Sequence, residues 1–316
     1  MSAIVVALGG NALASPDDPS GDTAEHQIAQ IAHTSAVLAE IIDEGHTVVI
    51  THGNGPQVGD LLVKNDLARN VVPVAPLYWC VAQTQATIGM ELAAAMRLHL
   101  SARGRNVPVV PLLTRVRVEP SDPAFSKPTK PIGLTIESAA PPDIELPHDH
   151  AWREFDKGQW RRVVPSPRPV EILDADAIAL VLTSGGVVIA CGGGGVPFAE
   201  DDGLLVGVDA VIDKDMTAVL LAELVGASSL AILTDVPGVA IDYGRPGERY
   251  LNQIEAPELR RYLDAGEFGR GSMDTKVEAA LTFVDKTCHT AVIGSLDTAR
   301  EAIYGRCGTL VTPSAA

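Results

Sequence analysis

Ile4-Val5-Val6-Ala7-Leu8-Gly9-Gly10-Asn11 is the stretch that decides the fold: an uninterrupted apolar run that ends in a glycine turn. Such a run predicts a strand that is buried on both faces, and strands of this kind belong to parallel sheets. In residues 24–44 the apolar positions recur at helical spacing, and residues 47–50 form the next short apolar strand. The chain therefore opens as strand, helix, strand, with a glycine turn after each strand.

The same order of elements continues along the chain. The sequence predicts further helices at 82–102, 174–182 and 215–225, and further strands within 107–118 and at 187–190 and 230–233. Alternating elements of this kind predict an α/β fold with a mainly parallel sheet and helices on both faces.

Residues 119–170 break this order. They contain a charged middle part around Trp160 and many prolines, among them Pro120, Pro123, Pro165, Pro167 and Pro169. A connection this long is uncommon unless it is functional or disordered, so we interpret it as a small subdomain that projects from the sheet. Lys130 lies near its start between two prolines. Stiff ends around a movable middle part predict a lid that carries a lysine, although a purely structural insert stays possible.

Composition excludes several classes of function. The formal net charge of −16 at pH 7 argues against a nucleic-acid partner or an anionic membrane surface. The N-terminus has no basic leader, and no apolar run reaches the ~18 residues of a membrane span, so we expect a cytoplasmic protein. The cysteines lack the spacing of a zinc site and are expected to be reduced: Cys80, Cys191, Cys288 and Cys307.

Glycine turns follow three of the predicted strands: Gly9-Gly10-Asn11, Gly53-Asn54-Gly55, and the four glycines at 192–195. Glycine lets backbone N–H groups approach an anion, and the start of a following helix adds partial positive charge. Ligands of open α/β sheets bind at the carboxyl ends of the strands, where all three turns fall. Each turn alone could be a plain connector, but together they predict a phosphate site.

Lysines are the candidates for neutralising phosphate charge, because the sequence contains neither a Walker motif nor the kinase H-R-D motif. Lys130 lies in KPTKPIG, Lys214 in Asp-Lys-Asp at the start of a predicted helix, and Lys276 follows Gly-Ser-Met-Asp-Thr. A single lysine is more often a solvated surface charge. Positions beside glycine turns and helix starts favour phosphate contact instead.

Together these motifs resemble those of the bacterial carbamate kinases. The resemblance rests on HGNGPQVG (52–59), KPTKPIG (127–133), VVPSPRP (163–169), GGGGVP (192–197) and DKD (213–215), and it extends over nearly the whole chain. It implies the amino-acid-kinase fold, a single domain formed as a three-layer αβα sandwich with a protruding subdomain. It also implies a homodimer, ATP and ADP with Mg²⁺, and reversible phosphoryl transfer between ATP plus carbamate and ADP plus carbamoyl phosphate.

The resemblance also implies roles for individual residues. Residues 1–118 would form mainly the carbamate side and residues 171–316 mainly the nucleotide side. The catalytic lysines would be Lys130, Lys214 and Lys276, oriented by the carboxylate of Asp209. Contacts to the phosphoryl group and the substrate are implied for Gly9, Gly10, Asn11, Gly53, Asn54 and Gly55. Contacts to the nucleotide are implied for Gly193, Gly194, Thr234, Asp235, Tyr243 and Met273. No side chain is assigned as a metal ligand.

The sequence departs from the family pattern at two places. Asp274-Thr275 stands before Lys276 where the family has any residue followed by proline, and Leu134 replaces the proline after Gly133. These changes leave two alternatives open. One is a kinase of the same fold that acts on another small acid, and the other is a non-catalytic relative that binds a metabolite. KPTKPIG and the long insert disfavour the first, and the retained lysines with Asp209 disfavour the second.

Overall fold

The computed structural model describes residues 3–10, 23–144, 146–147, 150–268 and 272–314. Asn11 lies outside this part of the chain. The helices of the described part are α1 (Ala24–Asp43), α2 (Gly55–Ala68), α3 (Leu77–Ala102), α4 (Ala175–Thr183), α5 (Lys214–Leu224), α6 (Ala256–Asp264), α7 (Ser272–Thr287) and α8 (Ala299–Ile303).

The strands of the same part are β1 (Ala3–Leu8), β2 (Thr47–His52), β3 (Val109–Pro111), β4 (Arg115–Val118), β5 (Lys130–Glu137), β6 (Ala151–Asp156), β7 (Gln159–Val164), β8 (Pro169–Ile172), β9 (Val187–Ile189), β10 (Val196–Asp201), β11 (Leu204–Gly207), β12 (Ser229–Thr234), β13 (Ala240–Ile241), β14 (Arg249–Tyr250), β15 (Gln253–Glu255), β16 (Thr290–Ser295) and β17 (Thr309–Thr312).

The main sheet has eight strands in the order β15-β17-β16-β12-β1-β2-β9-β3. β1 pairs in parallel with β12 on one side and with β2 on the other. The direction reverses only between β16 and β17, which are antiparallel, and β15 runs parallel to β17. The predicted mainly parallel sheet is therefore confirmed.

Side chains of β1 point alternately into two apolar layers. Val5 and Ala7 pack in a cluster with residues of α5 and α7, whereas Val6 and Leu8 pack in a cluster with residues of α1 and α3. All six residues of β1 are buried, as the apolar run in the sequence predicts. Helices on both faces of one sheet make the three-layer α/β/α sandwich.

The carboxyl end of β1 is a switch point in the topology. From β1 the chain continues to β2 on one side of the sheet, and β12 returns on the other side. The connecting helices therefore diverge above and below the sheet, which leaves a crevice at this end of the strands. Gly9 and Gly10 lie at the mouth of that crevice.

Residues 119–170 lie between β4 and β8, which pair antiparallel in a second sheet with β10 and β11. Within this insert, β5, β7 and β6 form a three-stranded antiparallel sheet. Its root packs on α2: Ile132 and Val164 share an apolar cluster with Val58. The domain bounds and the lid role predicted from the sequence remain predictions.

No helix in the part of the chain that the structure describes is both long and apolar enough to span a membrane. The cytoplasmic location stays a prediction.

Two glycines set the distance between α2 and the insert. A methyl group on Gly59 would lie 2.2 Å from the Cα atom of Gly133, much closer than any real contact allows. Arg162 of β7 holds the same junction, because its Nη1 donates to Oδ2 of Asp66 on α2 at 3.1 Å. The insert therefore rests on the helix by direct backbone contact.

We expect Gly59→Ala to lower the free energy of unfolding by about 1–3 kcal/mol, because the added methyl group overlaps backbone that cannot turn away. Gly55→Ala is the matched control on the same helix, since a methyl group there meets no atom within 4 Å. Urea denaturation of both variants measures the difference. Equal stability of the two would show that the helix and the insert are not in close contact.

Candidate active site

The first two glycine turns touch each other at the carboxyl ends of β1 and β2. The N–H of Gly53 donates to the carbonyl of Leu8 at 2.9 Å, and the N–H of Gly9 donates to Leu233 at 2.7 Å. A Cβ atom on Gly53 would lie 2.8 Å from the backbone nitrogen of Gly10. Only glycine allows this approach, so the turn predicted to hold the phosphoryl group and the turn predicted to hold the carbamate lie side by side.

The third glycine turn packs on residues that follow β2. A Cβ atom on Gly192 would lie 2.3 Å from Nε2 of His52, and one on Gly193 would lie 2.0 Å from Nδ2 of Asn54. Gly194 contacts the carbonyl of Ile212 in the same way. Of the two glycines that the resemblance assigns to the nucleotide, Gly193 therefore lies against Asn54 of the turn assigned to the substrate, and Gly194 lies against Ile212.

His52 is an uncharged member of this group at neutral pH. Its side chain is buried, and its Nδ1 lies 2.9 Å from the carbonyl oxygen of Gly53. Burial lowers its pKa to about 4, and the nearby charge of Lys214 acts in the same direction. The imidazole therefore contributes shape and hydrogen bonding here rather than charge.

The structure brings the three predicted lysines together, each from a different element. Lys130 is the first residue of β5, Lys214 begins α5, and Lys276 lies in the first turns of α7. Nζ of Lys130 lies 2.9 Å from Oδ2 of Asp213, and Nζ of Lys276 lies 3.4 Å from Oδ2 of Asp215. Lys214 also contacts Asp215. The ammonium groups thus share two carboxylates.

Burial governs the charges in this cluster. It lowers the pKa of Lys214, and the neighbouring Lys276 adds to that effect, while Asp215 opposes it. For Asp213, burial alone would raise the pKa, but Lys130 and Lys214 lower it to about 2. Three ammonium groups face two carboxylates, so the positive charge of the cluster exceeds its negative charge and favours the binding of an additional anion.

Asp213 and Asp215 pair with the predicted lysines, and the sequence did not single out either carboxylate. The sequence marked the lysine between them and assigned the orienting role to Asp209. Oδ1 of Asp209 accepts a hydrogen bond from the N–H of Tyr78 at 3.3 Å. The ion pairs described above involve Asp213 and Asp215 instead, and the role of Asp209 stays a prediction.

A cavity of about 250 Å³ adjoins the lysine cluster. Lys276 belongs to both, because it lines the cavity and contacts Asp215. Four residues predicted to contact the nucleotide are in its wall: Thr234, Asp235, Tyr243 and Met273. The sequence analysis missed the aromatic rings of Tyr250 and Phe268, which also line it.

Asp274, the departure from the family pattern, is bonded within its own helix turn. Its Oδ1 accepts from the backbone N–H of Thr275 at 2.8 Å and lies 3.4 Å from the Thr275 hydroxyl. A carboxylate in the first turn of a helix is favourable because the exposed N–H groups carry partial positive charge. This arrangement provides a structural reason for Asp274 at the start of α7.

Among the residues that the structure describes, no three His, Cys, Asp or Glu side chains converge as a metal-binding group. The carboxylates of Asp213 and Asp215 are already paired with lysines. Any Mg²⁺ at this site would come with the nucleotide substrate.

Comparison with known proteins shows which family the chain resembles. A family model described as the amino acid kinase family matches residues 2–295. The carbamate kinase of Thermococcus kodakarensis is 43% identical, with 98% of this chain and 99% of that protein covered. The carbamate kinase of Pyrococcus horikoshii is 41% identical over the same shares of the two chains. Carbamate kinase from Giardia lamblia bound to AMP-PNP is 35% identical, with 99% of each chain covered and a TM-score of 0.88.

Fold, site and these similarities define a kinase: an α/β enzyme whose glycine turns and lysines lie beside a cavity of about 250 Å³. The chain belongs to the amino acid kinase family.

The depressed pKa of Asp213 predicts how stability depends on pH. Asp213 has a folded pKa of about 2 against an ordinary value of 3.8, so its ion pair stabilises the fold above pH 4 and is lost as the pH falls towards 2. We expect Asp213→Asn, which can still cap α5, to be less stable than wild type at pH 7, with the gap narrowing at pH 3. Urea denaturation at pH 7, 5 and 3 measures the difference in the free energy of unfolding between the two proteins.

Asp201→Asn, a change at an exposed aspartate, is the control and should stay within ~0.5 kcal/mol of wild type at pH 7. A gap for Asp213→Asn that is the same at pH 7 and pH 3 would contradict the ion-pair assignment.

Proposed function

We propose that the chain is a carbamate kinase that catalyses reversible phosphoryl transfer between ATP plus carbamate and ADP plus carbamoyl phosphate. The observation that carries this proposal is the convergence of Lys130, Lys214 and Lys276 beside glycine turns, at the end of a cavity with aromatic walls. The similarity to carbamate kinases over nearly the full chain supports the choice of carbamate as the acceptor.

The cavity is the proposed nucleotide site. Tyr243, Tyr250 and Phe268 line it and would contact the adenine, and Lys276, which also lines it, would contact the phosphates. A nucleotide placed this way directs its terminal phosphate to the cluster around Asp215. Mg²⁺ arrives bound to the phosphate oxygens and offsets part of their charge there.

The glycine turns are the proposed site of the transferred group and the carbamate. Gly9 and Gly10 lie against Gly53, so backbone from the ends of two strands surrounds one small volume. Oriented N–H groups and lysines stabilise charge that spreads over the equatorial oxygens during transfer. Asn54, held by a hydrogen bond from its Nδ2 to Oγ1 of Thr84, would contact the carbamate side.

Lysine, rather than a general base, is what this chemistry requires. A carbamate oxygen is already anionic, so the barrier lies in bringing two anions together and aligning them. Compact ammonium groups on flexible stems can follow a phosphoryl group as it moves, whereas the planar guanidinium of arginine fits a fixed oxyanion. Three lysines from three elements surround such a group from several sides.

Asp213 and Asp215 would hold the lysines in place before substrate binds. Asp215 contacts Lys214 and Lys276, and Asp213 contacts Lys130, so each ammonium group has a defined direction in the free enzyme. Phosphoryl oxygens then compete with the carboxylates for the same ammonium protons. Such preorganisation reduces the reorganisation needed at the moment of transfer.

The insert is proposed to act as a lid. Lys130 begins β5 of the insert and bonds to Asp213 at the start of α5, so this ion pair joins the insert to the site. Closure would deliver the charge of Lys130 and exclude water from carbamoyl phosphate, which hydrolyses readily.

The homodimer implied by the resemblance is also part of the proposal. Several large apolar side chains are exposed on the stretch from the end of α2 to the start of α3, where a second copy could cover them: Leu67, Val71, Val72, Val74 and Trp79.

The first test is a coupled assay in which purified protein, carbamoyl phosphate, ADP and Mg²⁺ are mixed and ATP is measured. We expect ATP, and in the reverse direction we expect acetylglutamate, uridylate and aspartate to be poor phosphoryl acceptors. Activity with one of these and none with carbamoyl phosphate would indicate another acid as substrate. Nucleotide binding without any transfer would indicate a metabolite-binding relative.

The second test concerns Lys130 and the lid. Lys130→Ala should lower kcat about 10²–10³-fold, by analogy with the loss of one preorganised group at a reacting oxygen; kcat is measured well below the melting temperature, because the variant also loses the ion pair with Asp213. Lys157→Ala, at an exposed lysine of the same insert, is the control and should keep wild-type kcat. Substrates should also slow hydrogen exchange within 119–170. Exchange that substrates do not change, together with near-normal activity of Lys130→Ala, would make the insert a structural element only.

A further inference from the structure

The third glycine turn has an unusual backbone conformation that its own sequence does not enforce. Cys191 has a φ of 56°, which is rare for a residue with a side chain, and Gly193, Gly194 and Gly195 have φ values of 64°, 89° and 93°. Strained conformations of this kind persist where the surrounding structure holds them, and they concentrate at functional sites. The contacts around the turn show what holds it.

Gln85 of α3 uses its whole carboxamide to fix this turn. Its Nε2 donates to the carbonyl of Gly192 at 2.9 Å and to the carbonyl of Thr114 at 3.2 Å. Its Oε1 accepts from the N–H of Thr114 at 2.8 Å. The residue is 4% exposed, so no water replaces these bonds, and both donors and the acceptor are satisfied.

Three hydroxyl groups complete the support. Oγ1 of Thr51 donates to the carbonyl of Cys191 at 2.9 Å, and Oγ1 of Thr114 accepts from the N–H of Cys191 at 3.1 Å. Oγ1 of Thr217 on α5 donates to the carbonyl of Gly194 at 2.9 Å. The turn is therefore held from β2, from α3 and from α5, and a fully satisfied polar network of this kind specifies one geometry.

This glycine turn packs against His52 and against Asn54, which the resemblance assigns to the substrate. Gly192 and Gly193 leave no room for a Cβ atom beside His52 and Asn54. Gly194 meets the carbonyl of Ile212, the residue before Asp213, with equal closeness. A shift of the turn would therefore displace both Asn54 and the start of α5, where Lys214 lies.

We propose that Gln85 and Thr217 are positioning residues, which act through the glycine turn at 191–195 to keep Asn54 and Lys214 in register with the carbamate and the transferred phosphoryl group. The inference rests on the proposed function. Neither residue needs to contact substrate. The cavity proposed for the nucleotide is lined by residues between 234 and 276, and Gly193 and Gly194 are not among the described residues that line it. The two residues should therefore affect carbamoyl phosphate and leave ADP binding unchanged.

Gln85→Met tests this directly, because methionine has a similar length and cannot form the hydrogen bonds. We expect kcat/KM for carbamoyl phosphate to fall about 10–100-fold at a temperature well below unfolding, as for groups that orient a reacting pair. The dissociation constant of ADP, measured by calorimetry, should stay within twofold of wild type. Gln83→Met is the matched control, since it makes the same exchange at an exposed position of the same helix and should keep wild-type kinetics.

Thr217 gives an independent pair of variants if Gln85→Met fails to fold. Thr217→Val keeps the shape of the side chain and removes the hydroxyl, so kcat/KM for carbamoyl phosphate should fall while ADP binding stays. Thr217→Ser restores the hydroxyl and should restore kcat/KM. A role limited to folding would lower the melting temperature of Thr217→Val and leave kcat/KM of the folded protein unchanged.

The outcomes separate this inference from the proposed function. If wild type makes ATP and both Gln85→Met and Thr217→Val keep kcat/KM within threefold, the positioning role is wrong and the proposed function stands. Equal losses in carbamoyl phosphate turnover and ADP binding would also overturn it, because they indicate general disruption. If wild type makes no ATP from carbamoyl phosphate, the proposed function fails, and the positioning role fails with it.

Discussion

Two buried ammonium groups impose the constraint on which the site depends. Lys214 and Lys276 are 9% and 5% exposed, and a charge removed from water needs a partner to be tolerated. Asp215 provides that partner for both, from the first turn of α5. The helices α5 and α7 must therefore approach one another with their N-terminal ends at the same place, and the main sheet beneath them fixes the spacing. A chain with a net charge of −16 thus gathers positive charge at one point.

Asp213 connects this electrostatic requirement to the fold. One of its carboxylate oxygens accepts from the N–H groups of Asp215 and Met216 and so caps α5, while the other pairs with Lys130 of the insert. The same side chain therefore satisfies backbone groups that would otherwise be exposed at a helix end and compensates a lysine from a distant segment. Loss of the whole side chain would affect the start of the helix, the position of the lysine and the insert together, because one group serves all three.

Local signals account for what the sequence predicted well. The apolar run that becomes β1 has buried neighbours on both faces, and the glycine turns mark the carboxyl ends of three strands. The helix α3, in contrast, begins at Leu77 rather than at 82, because Pro76 occupies its N-cap position and the first turn continues the helix without a distinctive signal. The strands β5, β6 and β7 carry charged residues and no apolar run, so the sequence indicated only an insert where the structure has a sheet.

Long-range pairing is the hardest to predict: Lys130 and Asp213 are 83 residues apart, and Lys276 and Asp215 are 61 residues apart. The aromatic residues of the cavity wall are hard to predict for the same reason, since Tyr250 and Phe268 come together only after the chain has folded.

The junction between Gly59 and Gly133 has a mechanical consequence. Elsewhere in a protein, two elements in contact interlock through side chains, and sliding one over the other requires many rotamers to change at once. At this junction the backbone of α2 touches the backbone of β5 with no side chain between them. The contact itself therefore offers no side-chain resistance to a small rotation, and the angle of the insert is set by the contacts around it: the packing of Ile132 and Val164 on Val58, and the ion pairs of Arg162 with Asp66 and of Lys130 with Asp213. If the insert closes as the proposed lid, the glycine pair is the point about which it turns, and the two ion pairs limit how far it turns.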